Sequence, residues 1–285
     1  MTHIVPYIRQ LAKLDVDGNE PGLISAWDLV RNDMSDAVGT NNGTLIGGAH
    51  NQYSSLGKTL YFNGASESNM GNDSSLSIAS GSITLSFWAR FSSVVAFQGI
   101  ISKGSTASNQ NYFIRVNNGI LEFYFRNIGN TANILYATND APLKVGRVYN
   151  IVLAHTFGNG ALTKFYINGV ERPGTWNSPP GDDLPLTNAN QTFVGSRFGN
   201  IYNNGDLGFF KFFNIHQDQE WVTKEYNRGR DSALWKMNYG VNVSSSPVIG
   251  GNVENSPVRV TGGAAYQVSD YSIDGLAAKC YECTT

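Results

Sequence analysis

SITLSFWARF, residues 82–91, sets Ile83, Leu85, Phe87 and Ala89 on one side of an extended chain and Thr84, Ser86, Trp88 and Arg90 on the other. Both sides carry bulk, which suits a strand held inside a layered sandwich better than one with a solvated face. The neighbouring segments read the same way. KFYINGVERPG, residues 164–174, alternates apolar and polar side chains up to Asn168-Gly169, a pair that turns a hairpin and fixes its register. NYFIRVNNGILEFYFRN, residues 111–127, places a second such turn at Asn118-Gly119 between two apolar runs. RVYNIVLAHTF, residues 147–157, leads through Gly158 and Gly160 into the 164–174 segment, so that 147–174 reads as one long hairpin with a further turn.

Composition agrees. Of the 285 residues, 31 are Gly and 12% are aromatic, with 15 Phe and 14 Tyr. Many turn formers and many aromatics together mean many short strands, so the expected class is all-β, a sandwich rather than an α/β fold. One helix is expected at DQEWVTKEYNRG, residues 218–229, with Asp218 as its N-cap and Gly229 as its stop. Charged residues are only 15% and the formal net charge is −2, which offers no footprint for nucleic acid and no electrostatic hold on a membrane. The opening residues lack the apolar core and cleavage pattern of a signal peptide, and no run approaches a membrane span, so no membrane insertion is expected.

Three segments are expected. Residues 1–21 form an N-terminal arm whose apolar Ile4, Val5, Ile8 and Leu11 recur at roughly helical spacing. Residues 22–230 form the sandwich. Residues 231–285 form a β-rich extension broken by Gly, Ser and Pro, too short to be comfortable as an independent core.

The order of the strand motifs resembles that of the laminin-G-like, concanavalin A-like jelly roll. GLISAW (22–27), NNGTLIGG (41–48), LYFNG (60–64), LSFWARF (85–91), YNIVLAHTF (149–157), KFYINGV (164–170), FVGS (193–196) and FFKFFNIHQDQEWVTKEYNRG (209–229) follow the family's sequence of segments over roughly residues 20–230. The resemblance implies an antiparallel two-sheet jelly-roll sandwich used for recognition and introduces one cofactor, Ca²⁺, which relatives hold through loop carboxylates and carbonyls. The matching oxygens here are Asp33, Asp36 and Asn41, with Asp206 entering the late strand. Sandwiches of this type also occur in virion proteins of tailed bacteriophages, which the low charge and the high Gly, Asn and aromatic content resemble.

Glycosidase chemistry needs two carboxylates facing one another across a cleft. The strands carry almost none, Glu122 standing alone, so no enzyme is expected. His3, His50, His155 and His216 lie far apart with no ligand spacing, and Cys280 and Cys283 have no second pair to complete a zinc site. Sugars are held by flat aromatic stacking and amide hydrogen bonds; the candidates are Trp176, in the loop GTWNSPPGDD, and Tyr202, in GNIYNNGD. The sequence-level expectation is therefore a non-enzymatic virion structural or decoration protein. It would contact its own copies and other virion proteins through the arm and the extension, after assembly in a host cytoplasm. The alternative is a carbohydrate-binding or adhesion module that meets surface glycans.

Overall fold

The computed structural model describes residues 19–27, 34–54, 57–95, 97–106, 108–177, 180–233, 266–273 and 276–283. The arm residues Ile4, Val5, Ile8 and Leu11, and Asp33, lie outside these. The chain divides into two compact units, residues 9–237 and a second made of residues 1–8 with 238–285. The first contains β1 (Leu23–Trp27), β2 (Thr44–Ile46), β3 (His50–Ser54), β4 (Gly57–Asn63), β5 (Glu67–Asn69), β6 (Ser82–Phe91), β7 (Phe97–Thr106), β8 (Asn109–Asn117), β9 (Ile120–Arg126) and β10 (Asn133–Thr138). It continues with β11 (Val148–Thr156), β12 (Asn159–Ile167), β13 (Val170–Arg172), β14 (Gly174–Trp176), β15 (Thr192–Val194), β16 (Ser196–Arg197), β17 (Ile201–Tyr202), β18 (Asn204–Phe213) and the helix α1 (Gln219–Ala233). Within the second unit, β19 (Tyr266–Ile273) and β20 (Leu276–Cys283) pair as an antiparallel hairpin whose register sets Cys280 opposite Ser269.

The strands form two antiparallel sheets. The back sheet runs β13-β12-β11-β6-β18-β4-β3, with β1 added beside the distal half of β18; the front sheet runs β14-β10-β9-β8-β7-β15-β5-β2. This is the antiparallel two-sheet sandwich that the strand pattern implies. Between the sheets lies one apolar core. Phe87 of β6 stacks on Phe210 of β18 with centroids 4.9 Å apart, and Tyr112 of β8 meets Phe212 from the opposite sheet at 5.7 Å. The alternation in β6 holds: Ile83, Leu85, Phe87, Ala89 and Phe91 all enter the core.

Turn chemistry sets the registers. Asn118 and Gly119 both take positive φ, as do Asn168 and Gly169, which is the geometry of the tight two-residue hairpin turn that matches strand twist. β18 contains an irregularity between Gly208 and Lys211, with Phe209 at φ 50°; there the strand changes neighbour from β4 to β1.

The outer face of the back sheet lies under α1. Asp218 caps the helix by accepting from the Trp221 N–H at 2.8 Å. Val222 packs on Val152, Ala154 and Tyr166, Tyr226 stacks on Trp88 at 5.9 Å, and Trp221 meets Phe213 edge-on at 5.0 Å. The helix does not stop at Gly229. That glycine is a contact point: a Cβ there would lie 2.5 Å from the Trp88 indole nitrogen, so only the missing side chain lets the helix settle on the tryptophan. Beneath the helix, the Lys211 ammonium is held by Glu20 at 2.9 Å and Glu225 at 3.1 Å, and Arg228 bonds the same two carboxylates. No helix among the described residues is long and apolar enough to cross a membrane.

Candidate functional site

With the back sheet under α1, the outer face of the front sheet is the sheet face that no described helix covers. Its alternation places Phe113, Arg115 and Asn117 of β8 and Glu122, Tyr124 and Arg126 of β9 opposite to the core-facing Tyr112, Ile114, Val116, Leu121, Phe123 and Phe125. Arg115 lies directly across from Glu122 and pairs with it, and Asn117 donates to the other Glu122 oxygen at 2.9 Å. The Arg115 guanidinium also covers the Phe97 ring at 4.0 Å.

Onto this face folds the short hairpin β16–β17. It approaches β7 at Gly99, where a Cβ would come within 2.3 Å of the Ile201 carbonyl oxygen. Glu67, almost fully buried, anchors it by accepting from the Ser196 hydroxyl and from the Gly199 N–H at 3.0 Å. The Tyr202 hydroxyl donates back to the Gly199 carbonyl at 2.7 Å, closing the turn. Between these fixed points Phe198 is held at φ 32°, a left-handed backbone that a bulky side chain adopts only at a cost, which is the kind of local strain found at binding sites. Arg197, next to it, lies over Phe113 at 5.4 Å and over Phe198 at 5.2 Å.

Beside the hairpin is an open depression lined by Phe193, Phe198, Asn72, Asn190, Gln191 and Ser105. Aromatic rings and amides together are the chemistry that holds a sugar: a flat apolar face plus paired donors and acceptors. The rim is braced from within, since the buried Lys103 ammonium donates to the Asn190 carbonyl at 2.8 Å. Burial draws that ammonium down to about 8, with the Asp73 charge partly opposing.

The sugar-stacking candidates are not brought together. Tyr202 belongs to the hairpin and shapes the turn that presents Phe198. Trp176 stands on β14, an edge strand rather than a loop, with β10, β9 and β8 between it and β7. Its half-buried ring contacts Tyr136 at 5.0 Å, His155 at 5.7 Å and Phe125 at 6.2 Å, and its N–H donates to the Gly160 carbonyl at 3.1 Å. It closes that end of the sandwich. Trp176→Ala is accordingly expected to lower unfolding free energy by about 2 kcal/mol in urea titration, the scale of a partly buried aromatic truncation.

Of the calcium candidates, Asp36 and Asn41 meet, while Asp206 stands apart. Asp36 accepts from the Ala26 and Val38 N–H groups on one oxygen and from the Asn41 N–H on the other, at 3.0–3.1 Å. The Asn41 amide donates to Ser25 and Ser75, leaving only its buried Oδ1 without a partner. Asp206, fully buried, accepts from Arg90 at 2.8 Å, Thr59 at 3.1 Å and Gln52 at 2.5 Å, and shares no partner with Asp36 or Asn41. A cation of six to eight oxygen ligands does not fit a set whose carboxylates are already taken up by N–H donors and a guanidinium. Among the described residues, no three His, Cys, Asp or Glu side chains gather as a metal group.

Reading the sequence missed Arg197, Phe198, Phe113 and Arg115. The pairing of Arg115 with Glu122 was available from the Asn118-Gly119 turn, which fixes which residues face each other. The meeting of Phe113 with Arg197 was not, because nothing local says where β16–β17 lands.

A two-sheet sandwich with a helix on one face and an aromatic, amide-lined depression on the other is a lectin-like domain. The chain belongs to the concanavalin A-like lectin/glucanases superfamily: a laminin-G family model of that description matches residues 62–223. Among solved structures it is similar to domain 4 of AbnA, an extracellular arabinanase of family GH43 from Geobacillus stearothermophilus, in complex with arabinotriose. The two share 18% identity over 72% of this chain and 98% of that one, with a TM-score of 0.52. It is also similar to the binding domain of Paraclostridial Mosquitocidal Protein 1, at 16% identity over 72% of this chain and 52% of that one, TM-score 0.55. The ligand-binding domain of botulinum neurotoxin serotype D in complex with N-acetylneuraminic acid gives 16% identity over 72% and 50%, TM-score 0.52. The chain thus spans about half the length of the toxin binding domains, and at these identities the likeness concerns the fold. No curated protein matches the chain.

Proposed function

We propose that this chain is a carbohydrate-binding module that grips glycan on the outer face of its front sheet without cleaving it. The observation that carries this reading is Phe198, held in a left-handed conformation at the wall of a depression otherwise lined by Phe193, Asn72, Asn190, Gln191 and Ser105. A strained aromatic fixed by Glu67 and Tyr202 is a prearranged stacking surface, which reduces the ordering cost of binding. Two similar folds, the arabinanase domain with arabinotriose and the neurotoxin domain with N-acetylneuraminic acid, were solved with sugars bound. The binding role without chemistry is supported by how the nearby carboxylates are used. Glu67 is occupied by Ser196 and Gly199, and Glu122 by Arg115 and Asn117, so each serves as a fixed acceptor.

The test is a glycan array probed with wild type and Phe198→Ala. The variant is expected to lose at least tenfold in affinity for whatever wild type retains, with a melting temperature within a few degrees of wild type, since the ring it loses is partly exposed. Glycan binding that survives the truncation unchanged would remove this face from consideration. Incubation with a retained polysaccharide should release no reducing ends.

A further inference from the structure

Four arginines show what this fold ordinarily does with a guanidinium. Arg90 is bound by Asp206, Arg115 by Glu122, Arg228 by Glu20 and Glu225, and Arg126 by the oxygens of Asn130 and Asn133. Arg197 differs. It is half-buried, and its Nε is fully buried with no hydrogen-bond partner among the described residues; Arg172 Nε is in the same state, but Arg172 faces Asp140 at 3.9 Å, whereas Arg197 enters no ion pair among the described residues. What surrounds it is the ring of Phe113, the ring of Phe198 and a second guanidinium, that of Arg115. Burial, and then the like charge of Arg115, work against its ionised form, with Tyr124 opposing them. The sealed Nε cannot itself meet a ligand; what attracts an anion is the unpaired charge of the guanidinium, whose two outer nitrogens are not among the buried unpartnered atoms.

We propose that this face takes an acidic glycan, and that Arg197, which directly precedes Phe198 and flanks the depression without lining it, pairs with the sugar's carboxylate while Phe198 and the amides of Asn190 and Gln191 hold its ring. The inference rests on the carbohydrate-binding reading above and adds the chemical class of the ligand. A guanidinium presents a planar fork of N–H donors that matches a carboxylate, and the flanking rings fix the plane of that fork. Arg115 is already neutralised by Glu122, so the positive charge left to attract a ligand is that of Arg197. A neutral sugar would leave it unanswered.

The experiment is titration calorimetry of the full chain against paired probes that differ in the carboxylate: 3′-sialyllactose with lactose, and trigalacturonate with galactotriose. Arg197→Gln and Arg197→Lys are run beside wild type, with thermal melts as a check on folding. Wild type is expected to bind one acidic member at least tenfold more tightly than its neutral partner and to weaken as salt rises. R197Q should lose that preference and R197K should retain part of it. Equal affinity for the acidic and neutral members, or an acidic preference that R197Q leaves intact, overturns the assignment while the glycan reading stands. Wild type that binds neither kind, on these probes and on the array, overturns both.

Discussion

Replacing Lys211 with methionine is expected to lower the unfolding free energy by about 3–5 kcal/mol, the range seen when one partner of a buried ion pair is removed. The lysine is 3% exposed and lies between two carboxylates, Glu20 at 2.9 Å and Glu225 at 3.1 Å. Two cations and two anions balance in this cluster. Methionine fills the volume but leaves both carboxylates to Arg228 alone, which is itself one-third exposed. The loss therefore comes from uncompensated buried charge rather than from a cavity. A second variant separates the two causes: replacing all four members, Lys211, Arg228, Glu20 and Glu225, by apolar residues should recover much of the loss, whereas a packing defect would deepen. Urea titration of both variants decides the matter. The cluster also fixes a direction in pH. Burial pushes the Glu20 carboxyl up, but the charge and hydrogen bonds of Lys211 and Arg228 outweigh it and hold it below its ordinary value. A depressed carboxyl stabilises the fold above its unfolded value and loses that contribution as pH falls through the folded one. Lys211→Met should flatten this part of the acid limb.

Legibility in this sequence follows how local the controlling interaction is. The faces of β6 were readable because alternation is a property of the strand itself, and the hairpins at Asn118-Gly119 and Asn168-Gly169 because two residues determine the turn. The start of α1 was readable from Asp218, whose cap reaches only three residues. Its end was not. Gly229 carries the same local signal as a helix stop, and only the approach of Trp88, distant in sequence, turns it into a packing position. Trp176 shows the same limit: its loop-like neighbours Asn177 and Pro180 conceal that the indole is drawn in by Tyr136, Phe125 and His155. The candidate site was the least legible part. Phe113 and Arg115 come from the first strand of the Asn118-Gly119 hairpin and Arg197 and Phe198 from a separate turn, and they meet because Gly99 leaves room for that turn to lie on β7. Tyr202 was singled out from its own segment, yet the residues that give the face its charge, Arg197 on the paired strand β16 and Arg115 on β8, were not.

The second large effect should appear in acid, at His155. Its ring lies in the inter-sheet core, enclosed by Phe157 at 4.4 Å, Phe123 at 5.0 Å, Phe125 at 5.6 Å and Trp176 at 5.7 Å. Nδ1 is 2.6 Å from the Thr163 hydroxyl, and Nε2 is buried without a partner among the described residues. Burial first, and then the nearby His216, draw the imidazole from 6.5 down to about 3. The sign follows from proton counting. Between those two values the unfolded chain binds a proton that the folded one refuses, so stability is fully present above pH 6.5 and declines as pH falls toward 3. The slope approaches about 1.4 kcal/mol per pH unit, for a total of ~5 kcal/mol. Replacing His155 alone would strand the Thr163 hydroxyl, so the informative variant is His155→Phe with Thr163→Val, which removes both polar partners and keeps a ring within the aromatic cage. At pH 7 this pair should be within about 1 kcal/mol of wild type. By pH 4 it should be the more stable protein by ~3 kcal/mol, a difference measured by urea titration at each pH. Parallel pH profiles for the two proteins would mean that the ring accepts its proton inside the core, and that the aromatic cage around it does not exclude charge.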